Sequence, residues 1–99
     1  MKIGHITIGE RPLKIAEVGL NHCGERPRAI QMIRVAKECG ADVVKFQTFR
    51  AHEFCKPDDS LYPVFKKCEL PYYAWPDIAA ECRRRGIMFM STPQNVSDL

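Results

Sequence analysis

Residues Leu13–Gly24 read LKIAEVGLNHCG: an apolar run carries a single acid, Glu17, to within two residues of Gly19 and then opens into a polar turn. A carboxylate at the exit of a buried strand is a poor choice for packing and a good one for chemistry. Burying an ionised acid without a partner costs several kcal/mol, so a purely structural Glu17 would need a nearby cation or several donors. Lys45, in a second run of the same design, is the candidate cation.

That second run, Ala41–Gln47 (ADVVKFQ), and a third, Ile87–Pro93 (IMFMSTP), are likewise short and apolar and end in groups able to bind a ligand. In α/β folds the ligand sits beyond the carboxyl ends of parallel strands, where polar residues interrupt otherwise continuous hydrophobic sequence. Three strands of this type imply one shared ligand face. Alternation along Val43–Gln47 puts Val43, Lys45 and Gln47 on one side and Val44, Phe46 and Thr48 on the other. If the second side packs on helices, the lysine and glutamine look into a barrel or a cleft.

The segments between the runs supply those helices. Arg28–Cys39 carries Ala29, Met32, Ile33, Ala36 and Cys39 at helical spacing, with Gly40 where a left-handed cap is expected. Tyr72–Arg85 repeats the pattern with Trp75, Ile78, Ala79 and Cys82 inward, Pro76 in its first turn and Gly86 as its stop. Strand, helix and strand separated by few residues make a βαβ unit. At the start, Ile3–Ile8 reads as a short hairpin capping one end, with Gly9–Pro12 a turn; at the finish, Val96–Leu99 reads as the opening turn of another helix. Phe49–Leu70 is long for a βα connection, and Pro57, Asp58, Asp59 and Pro63 are expected to break any helix in it. It leaves at the same end as Lys45 and Gln47 and reads as a substrate-covering loop.

Composition narrows the class. Of 99 residues, 45% are hydrophobic and 27% charged, which is an ordinary globular balance. A net charge of +3 is too small to argue for nucleic acid, and the densest basic run, Arg83–Arg85, falls at a helix end where cations favour the macrodipole. Five cysteines at Cys23, Cys39, Cys55, Cys68 and Cys82, odd in number and without a CxxC, indicate neither a disulfide framework nor a zinc module. With no apolar segment near the roughly 20 residues that span a bilayer, no membrane anchor is expected, and the cytoplasm is the expected compartment.

The strings IAEVGLNHCG, GADVVKFQTF and GIMFMSTP, in this order and separated by helices, resemble the N-terminal third of the sialic-acid synthase family, N-acetylneuraminate synthase and its pseudaminate and legionaminate relatives. The resemblance implies an α/β fold, the N-terminal portion of a (β/α)8 TIM barrel that is incomplete in this chain: a hairpin, about three parallel strands and two helices. It implies that residues 1–99 are an N-terminal fragment of one barrel domain, with the remaining barrel and an antifreeze-like C-terminal domain absent. The implied reaction condenses phosphoenolpyruvate with an N-acetylated mannosamine-type hexosamine to a nine-carbon 2-keto sugar acid, releasing phosphate. A divalent metal, manganese or magnesium, polarises the sugar aldehyde in this family; its ligands lie in later strands, so no metal ligand is assigned here. The parent is expected to be a homodimer, because the antifreeze-like domain reaches into a partner's site.

Carried over residue by residue, the resemblance makes Glu17 the active-site acid and Lys45, with Gln47, the KFQ pair. A lysine suits the strongly anionic phosphoenolpyruvate, since an ammonium in a closed barrel is worth more than one in water. Thr92 and Ser91 match the motif that helps to hold phosphoenolpyruvate, and Asn21 and His22 match the first loop, with a loop-bonded histidine an equal reading for His22. Cys23 stands where the family usually has Asn, and Arg50 where Lys is frequent. Two alternatives stand beside this reading: a non-catalytic binding or assembly module retaining the barrel motifs, and a phosphoenolpyruvate-condensing synthase with a different aldose acceptor.

Overall fold

The computed structural model describes residues 1–98, so the expected helical turn at Val96–Leu99 is met by a 3₁₀ turn over Val96–Asp98, with Leu99 outside the described residues. Strands β1 (Lys2–Ile3) and β2 (Ile6–Thr7) form the antiparallel hairpin. Strands β3 (Ile15–Gly19), β4 (Val43–Thr48) and β5 (Met88–Pro93) form a parallel sheet in chain order. Helix α1 (Arg26–Glu38) links β3 to β4, and α4 (Ala74–Arg85) leads into β5, so both crossovers are βαβ units.

Each helix buries one stripe. Ala29, Ile33 and Ala36 of α1 and Ala74, Ile78 and Cys82 of α4 face Val18, Val44 and Phe46 on the outer side of the sheet, in one cluster. Pro27 fits the first turn of α1, where its missing N–H is not needed. Gly86 closes α4 at φ 69°, a left-handed conformation costly for any residue with a Cβ. Trp75 departs from the expected core position: it is partly buried at the rim, edge-on to Phe46 with ring centroids 5.8 Å apart. Cys39 is exposed, because α1 turns that flank towards the unpaired edge of β3.

The hairpin covers the sheet at its amino end, as expected; a Cβ on Gly4 would run into the Met88 sulfur, and Ile6 is buried. The same end is knotted by Asp42. Its carboxylate accepts two bonds from Arg11, each 2.8 Å, and one from the Lys14 N–H at 2.9 Å. Its backbone N–H donates to the Lys14 carbonyl, and its carbonyl accepts from the Met88 N–H. The Arg11 hydrogen bonds hold the carboxyl well below the usual carboxylate range.

The long connection after β4 is more ordered than the expected loop. It contains α2 (Ala51–Phe54) and α3 (Tyr62–Cys68), and Pro63 lies in the first turn of α3, where it starts a helix rather than breaking one. Phe54 of α2 and Phe65 of α3 pack with Phe49 within it, the closest pair with centroids 4.8 Å apart.

Candidate active site

Register brings the predicted residues together. Glu17 pairs with Lys45, Lys45 with Met90, and Gln47 with Thr92. Alternation then sets Glu17, Lys45, Gln47 and Thr92 on the face turned away from the helices, near the carboxyl ends of three adjacent strands. A bulge between Glu17 and Gly19 steps the register, and a Cβ on Gly19 would touch both the Gln47 amide and the Glu17 carboxylate. The Lys45 ammonium stands 3.9 Å from a Glu17 oxygen, with the two side chains 34% and 50% exposed. Glu17 is therefore not the buried acid that the apolar run implies: its face carries no covering layer among the described residues, and water reaches it.

Three predicted residues are turned elsewhere. Ser91 lies one step from Thr92 and so on the opposite face, where its hydroxyl bonds that of Thr48 at 2.6 Å. This pair borders a cavity of about 590 Å³ lined by Tyr72, Trp75 and Phe89, on the helix side of the sheet. Asn21 spends its amide on the Val18 carbonyl at 2.8 Å, closing the turn after β3. His22 is fully buried and stacks on Phe46, with its Nδ1 accepting the Gly24 N–H at 3.0 Å. The loop-bonded form is the one present.

Glu69, which sequence reasoning passed over, links the end of the long connection to the exit of β4. Its carboxylate accepts the Ala51 N–H at 2.7 Å and a bond from Lys66 at 3.1 Å. Burial works to raise this carboxyl, but those two donors hold it below its ordinary value. An acid directly before Leu70-Pro71, at the end of a long connection, was the available signal. Arg50 lies over the Tyr72 ring at 4.1 Å, a cation–π contact beside the same exit. Among the described residues no group of three or more His, Cys, Asp or Glu could hold a metal ion, and the resemblance puts the ligands of its divalent metal in later strands. Among them, too, no helix is long and apolar enough to cross a membrane.

Comparison with known proteins follows the same lines. Residues 32–99 match the NeuB family. The chain is 32% identical over 98 residues to the N,N'-diacetyllegionaminic acid synthase of Campylobacter jejuni, covering 85% of this chain and 29% of that protein. It is 26% identical over 113 residues to a pseudaminic acid synthase from the same species, covering 100% of this chain and 33% of the other. It thus spans about a third of the length of these curated relatives. The crystal structure of N-acetylneuraminic acid (sialic acid) synthetase from Leptospira borgpetersenii superposes with a TM-score of 0.90 at 29% identity, over 99% of this chain and 35% of that one. The architecture is accordingly α/β, the three parallel strands and their helices forming part of a TIM barrel of the sialic-acid-synthase type.

Proposed function

The chain belongs to the NeuB family, whose members matched here are sialic-acid-type synthases, and from that premise we propose that the full-length protein condenses phosphoenolpyruvate with an N-acetylated mannosamine-type sugar. In this reading the chain is the N-terminal portion of one barrel domain. The observation that carries it is the shared face of Glu17, Lys45, Gln47 and Thr92 on three adjacent strand ends, where barrel enzymes bind their ligands.

The chemistry divides among these side chains. The enol carbon of phosphoenolpyruvate attacks the aldehyde carbon of the open-chain sugar, forming the new carbon–carbon bond while the aldehyde oxygen takes up a proton. Water adds at the neighbouring carbon, the one that bears the phosphate, and as its protons are lost inorganic phosphate departs from that carbon to leave the keto carbonyl. Lys45 supplies positive charge to an anionic substrate, and Gln47 and Thr92, opposite each other in register, offer an amide and a hydroxyl to its oxygens. Glu17 restrains the Lys45 ammonium and presents a carboxylate towards the sugar hydroxyls. The connection after β4 is tied at the strand exits by Glu69, at the end of the sheet where the ligands would sit.

Phosphate release by the full-length protein, given phosphoenolpyruvate, manganese and a panel of 2-acetamido and 2,4-diacetamido hexoses, tests this. Phosphate formed with one or more acceptors, together with a nine-carbon keto acid by mass, is the expected result. The 99-residue chain alone is expected to release none above background, since three strands leave most of an eight-stranded pocket unbuilt. Silence of the full-length protein across the panel would overturn the assignment.

A further inference from the structure

His22 is a fully buried ionisable side chain that the condensation does not use. Because Nδ1 accepts the Gly24 N–H, that nitrogen bears no proton and the neutral ring carries its hydrogen on Nε2. Nε2 has no hydrogen-bond partner among the described residues, so the Nδ1 acceptor is the ring's one polar tie there. Burial lowers the imidazole's proton affinity and keeps it in this form.

The bond closes a turn in which Cys23 and Gly24 both adopt positive φ, 55° and 73°. Such a turn needs a tether, since Cys23 holds a conformation that side chains disfavour. At Gly24 the backbone comes so close to the connection after β4 that a Cβ would run into the Lys67 carbonyl oxygen, with the Glu69 carbonyl also alongside. Glu69 in turn accepts the Ala51 N–H. Residues 67–69 are therefore fixed at two points, to the loop leaving β3 through Gly24 and to the segment leaving β4 through Ala51.

We infer that His22 is a positioning residue: through its Nδ1 acceptor it seats Gly24 against the Lys67–Glu69 backbone, and so fixes the end of α3 at the exits of β3 and β4, beside the carboxyl ends of the strands that carry Lys45, Gln47 and Thr92. The functional half of this inference rests on the synthase reading; the mechanical half does not.

Two variants of the full-length protein separate the acceptor from the ring. His22→Phe keeps an aromatic ring for Phe46 and removes the acceptor, whereas His22→Asn loses the ring but sets Oδ1 where Nδ1 stands, an acceptor suited to an N–H two residues on. Hydrogen exchange should report the Gly24 amide opening about tenfold faster in His22→Phe, with amides of residues 62–68 following, and near-wild-type exchange in His22→Asn. In steady-state phosphate release, His22→Phe should raise KM severalfold with a smaller change in kcat, and His22→Asn should restore it. A ring that merely fills space gives the opposite order, with Asn worse than Phe, and that order would overturn the inference, as would unchanged Gly24 exchange in His22→Phe. Should His22→Phe fail to fold, Gly24→Ala displaces residues 67–69 without touching the ring; unchanged exchange at 62–68 in that variant would equally overturn it. If the wild-type protein releases no phosphate, the synthase reading fails while the exchange results still decide the joint.

Discussion

Lys45→Met removes one charge, keeps the aliphatic stem and distinguishes a ligand-binding lysine from a structural one. At 3.9 Å, the ammonium and the Glu17 carboxylate attract by about 1 kcal/mol at the dielectric constant of water and by about 4 kcal/mol at an effective value of 20. With the side chains 34% and 50% exposed, the pair sits towards the aqueous limit, and ordering two flexible chains subtracts from it. Removing the lysine leaves Glu17 in contact with water, so the cost of roughly 3 to 5 kcal/mol for stranding a buried acid does not arise. Urea unfolding of the 99-residue chain should therefore show a loss of at most about 1 kcal/mol. Turnover by the full-length protein should fall by about a hundredfold or more in kcat/KM, the scale of losing one electrostatic contact to a reacting anion. A stability loss of about 3 kcal/mol or more would assign Lys45 to the scaffold, and near-normal kinetics would refute its role at the site whatever happened to the fold.

Phe46, fully buried between His22, Trp75 and Phe89, should lose about 3 to 5 kcal/mol on truncation to Ala, measured by denaturant unfolding; a loss under about 1 kcal/mol would mean that the cluster around it is not the core. Asp42 is held below the carboxylate range by Arg11, and Glu81 at about 2 by Arg84 and Arg85. Both folded values are depressed, so this stabilisation is complete above the ordinary carboxylate value near pH 4 and is lost as pH falls through the folded values. Melting temperatures recorded from pH 7 to pH 2 should drop below about pH 4, less steeply in Asp42→Asn; a flat profile would contradict the assignment. The outer edges of β3 and β5 have no strand partner among the described residues, so the 99-residue chain should associate with rising concentration in sedimentation experiments, and a monomer at every concentration would count against this.

The parallel strands were legible because each is an unbroken apolar run closed by polar residues, and the helices because Ile33 and Ala36, or Ile78 and Cys82, recur at helical spacing. Pairing Glu17 with Lys45 followed from the two runs alone. The sequence pairs Ser91 with Thr92, but with a side-chain period of two, neighbours on a strand face opposite ways, and Ser91 turns to Thr48. Pro63 was read as a breaker because proline ends helices from within, yet it is well placed at their start. Glu69 and Asp42 act across 18 and 28 residues of chain, and no local pattern announces a bond of that reach. The exposure of Glu17 depends on what lies above the sheet, which a strand's own composition does not record.

The knot at Asp42 also orders events in time. Its bonds to Arg11 and Lys14 span about thirty residues, whereas its carbonyl waits for Met88, some 46 residues later in the chain. At a synthesis rate of roughly 5 to 20 residues per second, Asp42 has several seconds in which β3 and β4 are both available and β5 is not. Pairing of the first two strands closes a short loop and so carries the smaller entropic penalty. The sheet is therefore built for vectorial growth, each strand docking on an edge that the ribosome has already released, with Asp42 as the point from which register is counted.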